Sequence, residues 1–328
     1  MRESLVLHRL CMFFTLFTGM LLVTAASAQP LAGAAFSSPD ERVEIETEWR
    51  KQPIRYAEGI EADITLSLDQ QLYDGLLPMI QAFAKKHSLR VAVSKGTCGI
   101  SAGALVKKRV DVAGFCCPPG KGDRLPGLKW HTLGISPINL IVHPENKLDN
   151  LTLAQARAVF SGEVYQWDQL VDSNRKGLIH PIGRLHCKLR PGHWQLLLGE
   201  EDDFSPDLLE VGAVPDMIRT VATDPKAIGY EVPWMIKTYQ KFGKVRSLSI
   251  NGVRPEDMAT SGYPLYRVYS LTSWVDDPLK NPHVAALIAH LTKQVEQMDA
   301  GFQLIPASKL KSLGWKFAGD ELIGEPEN

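Results

Sequence analysis

Between Ile64 and Phe115 the chain alternates strand-like and helix-like patterns, and that alternation leaves few folds open. Ile64-Thr65-Leu66-Ser67 is an apolar run of strand length. Asp69 then stands where a helix N-cap belongs, ahead of Leu72, Leu76, Ile80 and Phe83 at helical spacing. Arg90 to Ser94 alternates as a second strand, Ser101 to Arg109 reads as a short helix, and Val110 to Phe115 as a third strand. Strands separated by helices cannot be joined as hairpins. The order predicts parallel strands with crossover helices, an α/β domain. Ligands of open α/β sheets sit beyond the carboxyl ends of strands, beside helix N-termini. Three loops are therefore expected along one edge: Ser67-Leu68-Asp69, Thr97-Cys98 and Cys116-Cys117.

The pattern continues downstream. Ile138 to His143 is an apolar strand. Thr152 with Gln155 makes a capping box for a helix ending near Phe160, and Gly162 is a stop signal. Val214 to Thr223 reads as a helix followed by the turn Asp224-Pro225, and Tyr266 to Thr272 as a late strand. Pro282 to Met298 is an amphipathic helix with Val284, Leu287, Ile288 and Leu291 on one face.

The N-terminus predicts the compartment. Arg2 and Arg9 flank a short basic region, the apolar run Met12 to Val23 follows, and Ala26-Ser27-Ala28 precedes Gln29. The run is too short for a membrane span, so residues 1–28 read as a cleaved secretory signal that carries Cys11 away. The mature chain begins with a polar tail, residues 29–60, and is long enough for two lobes. Removing Arg2, Arg9 and Glu3 leaves 34 basic and 36 acidic residues, a balance that gives no attraction to nucleic acid or anionic lipid. A soluble periplasmic monomer is expected.

Several segments, in joint order, carry a resemblance. Lys95-Gly96-Thr97-Cys98-Gly99-Ile100 with Val110-Asp111-Val112-Ala113, Leu151-Thr152-Leu153 through Phe160-Ser161-Gly162 to Trp167, and Asp224-Pro225-Lys226-Ala227-Ile228-Gly229-Tyr230 are the main ones. Ile250-Asn251-Gly252-Val253, Tyr263-Pro264-Leu265-Tyr266-Arg267 and Gly301-Phe302 with Ile305-Pro306 complete the set. Together they resemble the phosphate-type substrate-binding proteins of ABC transporters, from about Ile64 to Pro306. The resemblance implies a two-lobed periplasmic-binding-protein fold, α/β with parallel-core sheets, a hinge and an interlobe cleft. Residues 61–141 plus 262–328 would form one lobe and 142–261 the other. It also implies a small inorganic ion as ligand and an ABC permease or membrane sensor kinase as partner, with no required cofactor.

The family holds its oxyanion with four loops, and this chain departs in each. Ser67-Leu68-Asp69 stands for a Gly- and Ser/Thr-rich loop, Thr97-Cys98 for a hydroxyl loop, and Cys116-Cys117 for Ser-Asp or Ser-Arg. Arg184 is kept in the fourth, but His186-Cys187-Lys188 replaces its hydroxyls. Thr97, Arg184, Lys188 and Arg190 still offer donors to a phosphate-like oxyanion, with Arg184 the best supported and Asp69 able to accept from a protonated one. Thiols are weak donors and a thiolate repels an anion, so the substitution weakens an oxyanion site. Thiolates suit soft ions instead. Cys98, Cys116, Cys117 and Cys187, with His186 and His193 nearby, are candidate ligands for arsenite, copper, zinc or a similar ion. Cys98 would lie at a helix N-terminus, where its pKa is expected to fall and favour the thiolate.

Other readings stay open. Four mature cysteines in an oxidising compartment allow disulfides, most readily Cys98 with Cys116 or Cys117. Taken singly, each cysteine reads as a small buried residue, each histidine as a surface or capping group, and Arg184 as half of an interlobe salt bridge. A thiol enzyme using Cys187 with His186 or His193 is the least supported, since no nucleophile elbow, HExxH or phosphate-cradling GxxxxGK occurs.

Overall fold

A computed structural model describes residues 34–276, 279–298 and 303–327. The expected export signal with Cys11, the first residues of the tail, and Gly301-Phe302 lie outside the described residues. In chain order the first part runs β1 (Ile64–Asp69), α1 (Gln70–His87), β2 (Val91–Gly96), α2 (Cys98–Val106), β3 (Val112–Phe115) and β4 (Leu128–Pro137). The middle runs β5 (Asn139–Val142), α3 (Leu153–Ser161), β6 (His180–Gly183), β7 (Leu209–Glu210), α4 (Val214–Thr223), β8 (Ala227–Glu231) and β9 (Arg246–Ser247). The last part returns through β10 (Tyr266–Trp274), α5 (Val284–Val295) and β11 (Ile305–Pro306).

Two sheets result. The first has six strands in the order β11-β4-β10-β3-β1-β2, and the second has five in the order β9-β5-β8-β6-β7. As the alternation predicts, β1 is parallel to both β2 and β3. β10 is antiparallel to β3 and β4. Asn139–Val142, which straddles the lobe boundary placed at residue 141 in the sequence reading, pairs with β8 in the second sheet.

Each sheet has its own apolar core. One gathers Leu66, Leu76, Ile80, Phe115 and Leu287. The other gathers Ile141, Phe160, Trp167, Met217 and Ile228. The chain passes between the sheets at residues 137–139 and again at 263–266. The passes are tied to one another: Ile138 N–H donates to Leu265 O at 2.9 Å, and the Tyr263 hydroxyl donates to Ile138 O at 3.0 Å. Two adjacent connecting segments are what a hinge requires.

The polar segment ahead of β1 is laid along the molecule. Ser37 Oγ donates to Pro119 O at 2.6 Å, and Trp49 sits against Trp274 with ring centroids 6.1 Å apart. Buried Lys108 turns its ammonium to the carbonyls of Trp49, Arg50 and Gln52, which satisfies a charge with no carboxylate at hand. Among the described residues no helix is long and apolar enough to cross a membrane.

Candidate functional site

The parallel register of the first sheet brings its loops together. Asp69 pairs with Gly96 and Leu68 with Gly114, so β1, β2 and β3 end side by side. Gly114 is required there, because a Cβ would lie 2.6 Å from Leu68 Cδ2. Asp69 caps α1 by accepting from Gln71 N–H at 2.8 Å. Thr97 caps α2 by accepting from Ile100 N–H at 3.3 Å, which makes Cys98 the first helical residue. Cys116 and Cys117 follow directly on β3. From the second sheet, the segment after β6 carries Arg184 to Arg190 across. Cys187 and His193 both take a left-handed backbone, at φ 64° and 62°, a strained choice for side chains of their size.

The four sulfurs of Cys98, Cys116, Cys117 and Cys187 all lie within 4.8 Å of one another. Cys98 Sγ and Cys116 Sγ are 3.5 Å apart. All four are free, three are fully buried, and Cys187 packs from the second sheet against the core of the first. Four points so spaced lie no more than about 2.9 Å from a common centre, close to the ~2.3 Å of a metal–thiolate bond. A phosphate keeps its phosphorus about 4 Å from each donor, because its own oxygens intervene. The space among the sulfurs therefore matches a single ion and is too small for a tetrahedral oxyanion.

Charge is arranged around one sulfur. Arg267, on β10, donates from Nη1 to Cys116 Sγ at 3.2 Å. Hydrogen bonds from Cys117, Cys187 and Cys98, together with that guanidinium, hold the Cys116 thiol well below the ordinary range. Cys98 and Cys117 are pushed up, chiefly because each donates to Cys116. Cys98 also donates to Asp69 Oδ2 at 3.5 Å. Asp69 is itself raised by burial and by the neighbouring Cys116 and Cys187 sulfurs. The downward shift expected at Cys98 from its helix N-terminus falls instead on Cys116, where a fixed cation faces the sulfur. Cys187 is drawn down to about 6; its bond to Cys116 raises it, but donors from Cys117, Cys98 and His186 outweigh that. Burial opposes a charge on His186, yet hydrogen bonds to Cys116 and Cys187 carry it to about 9.

The candidate oxyanion donors are engaged elsewhere. Arg184 Nη1 binds Glu231 Oε2 at 3.2 Å, both almost fully buried. This ion pair joins strand ends of the second sheet, and Gln71 of α1 reaches across to donate to Glu231 Oε1 at 3.0 Å. Arg190 pairs with Asp123 at 2.6 Å, its guanidinium over the Phe115 ring. Lys188 pairs with Glu201 at 2.5 Å on the surface. Thr97 is exposed, its hydroxyl spent on the cap, and Ser67 Oγ faces Ser101 Oγ at 3.2 Å. His186 and His193 stack edge to face with centroids 4.8 Å apart, and His186 lies against Cys116 and Cys187 at the edge of the four-sulfur group. Both ring nitrogens of His193 are buried without a hydrogen-bond partner. Burial drives its pKa well down, so the ring is neutral.

Sequence reasoning missed Arg267 and Glu231. A signal existed for the first: Arg267 is the one charged residue in the apolar run Tyr266–Trp274, and a buried arginine demands an anion. Glu231 closes β8 just beyond the Ala227-Ile228-Gly229-Tyr230 segment and carries no comparable mark.

A sequence model of the PBP superfamily domain matches residues 57–292. Comparison with curated protein sequences finds no match. Solved structures with this fold include an ABC-type phosphate transport receptor from Vibrio cholerae, 19% identical over 74% of this chain and 99% of that one, with a TM-score of 0.60. A phosphate-binding protein from Stenotrophomonas maltophilia is 12% identical over 75% and 91%, TM-score 0.54. PstS from Borrelia burgdorferi is 19% identical over 74% and 98%, TM-score 0.52. The two-lobed α/β architecture expected from the sequence is the one these structures share.

Proposed function

This chain belongs to the PBP superfamily, and on that premise we propose that it is an exported solute receptor. It closes on one thiophilic metal or metalloid ion, held by Cys98, Cys116, Cys117 and Cys187. The observation that carries the reading is the convergence of four free sulfurs from both sheets within 4.8 Å. Three come from the loops of the first sheet and one from the second. Opening at the hinge would part Cys187 from the others and admit the ion; closure would complete the coordination shell. Soft thiolates favour copper, zinc, cadmium or trivalent arsenic over hard ions. The receptor would pass its ion to an ABC permease, or report it to a membrane sensor kinase, from the periplasm.

The solved relatives named for phosphate speak for the fold, and the residues here speak against that ligand. Arg184, Arg190 and Lys188 are bound to carboxylates, and Thr97 is bound to its helix. The Cys187–His186 neighbourhood serves binding in this reading, so no turnover is expected.

Equilibrium dialysis of the reduced, chelator-stripped protein tests the reading. One equivalent of Cd(II), Cu(I) or arsenite is expected to be retained and to shield the thiols that bind it from iodoacetamide, and prior alkylation is expected to abolish retention. Phosphate is expected neither to bind tightly nor to shield. Phosphate binding that survives alkylation, with no soft ion retained, would overturn the proposal.

A further inference from the structure

Arg267 narrows the class of ion. Its side chain is 1% exposed, and it reaches Cys116 Sγ with Nη1 while Nε has no partner. The two other arginines at the site are neutralised by their own carboxylates, Arg184 by Glu231 and Arg190 by Asp123. Among the described residues Arg267 makes no such ion pair; Glu231 is near but paired with Arg184, so the counter-charge Arg267 touches is the sulfur cluster. A guanidinium does not lose its proton in a protein, and a buried, uncompensated charge is strongly destabilising. Whatever the cysteines hold must therefore leave negative charge on sulfur.

We infer that Arg267 selects soft cations of charge one or two and disfavours trivalent arsenic. A divalent cation bound by all four sulfurs displaces whatever protons the thiols still carry and forms a tetrathiolate carrying two negative charges. A monovalent cation in a tris-thiolate likewise leaves two. Arsenous acid, As(OH)3, exchanges its three hydroxyls for three thiols, releases three waters and leaves a neutral As(SR)3. An anionic complex keeps the Arg267 N–H···S bond as a charge-assisted one, the kind of outer contact that tunes metal affinity. A neutral complex that uses Cys116 strips the guanidinium of its counter-ion.

This inference rests on the thiol-site reading, and the test separates the two. Affinities of the reduced protein for Cd(II) and for arsenite are measured by competition with glutathione, in the wild type, Arg267→Met and Arg267→Lys. The wild type is expected to prefer Cd(II) over arsenite more strongly than glutathione does. Arg267→Met is expected to lower Cd(II) affinity about 10–100-fold with little change for arsenite, and Arg267→Lys to restore most of the preference. Should Arg267→Met not fold, the wild-type preference and the lysine variant still decide. A Cd(II)-to-arsenite ratio equal to that of glutathione, or unchanged by the variants that fold, overturns the inference and leaves the thiol site standing. Binding of neither ion by the wild type overturns both.

Discussion

Replacing Cys116 with serine is expected to lower soft-ion affinity by about two to three orders of magnitude while the protein stays folded. A four-ligand thiolate site is worth about 10–16 kcal/mol in binding, so one sulfur carries roughly 2.5–4 kcal/mol, or about 10²–10³-fold. Cys116 is the sharpest place to test this, because it faces Arg267 and lies 3.5 Å from Cys98. Serine keeps an acceptor for the Arg267 N–H groups and nearly the same volume but not the charge, so urea unfolding is measured beside affinity to separate lost coordination from a stranded guanidinium. Competition titration with a chromophoric chelator reads it. A change below threefold, with unfolding by urea unaffected, would remove Cys116 from the coordination shell.

Glu231→Ala is expected to destabilise the protein by about 3–5 kcal/mol, because it strands a buried guanidinium. Glu231 accepts from Arg184 Nη1 at 3.2 Å, from Gln71 Nε2 at 3.0 Å and from Val232 N–H at 2.9 Å. Gln71 belongs to α1 and the other partners to the second sheet, so the carboxylate also ties the two halves. Removing the charge pair together, as Arg184→Met with Glu231→Ala, is expected to cost less than Glu231→Ala alone, since no charge is then left unpaired. Urea unfolding of the two variants measures the difference. A single-variant loss under 1 kcal/mol would show that water reaches this pair.

The fold was legible wherever one period dominated. Val214–Thr223 forms the helix expected from its apolar face, and Thr152 with Gln155 makes the expected capping box on Leu153–Ser161. The parallel core followed from the order of elements alone. β4 was not foreseen. Leu128–Pro137 mixes Lys129, His131 and Thr132 into an apolar strand, and its partners, β10 and β11, lie far off in sequence. The α2 helix begins at Cys98, three residues before the Ser101 that its apolar pattern indicates, because Thr97 supplies the cap.

At the site, sequence could name the four cysteines and the edge that gathers them, because strand ends in a parallel sheet are neighbours by construction. It could not assign the charges. Arg184 carried the family's expectation of an anion, but Glu231 supplies one from the adjacent strand. Whether a buried arginine faces a carboxylate, a thiolate or an incoming ligand depends on which strand lies beside it, and short-range pattern does not encode that. The histidines divide: His186 lies against Cys116 and Cys187, while His193 stacks on His186 with both ring nitrogens unpartnered.

Native mass spectrometry of the protein isolated from periplasm without reductant or chelator tests the central claim most directly. The account predicts a chain with all four thiols reduced, carrying one soft ion that is lost when Cys116 or Cys187 is replaced. A mass four hydrogens below the reduced chain, with no adduct, would mean two disulfides in place of a binding site and would contradict it.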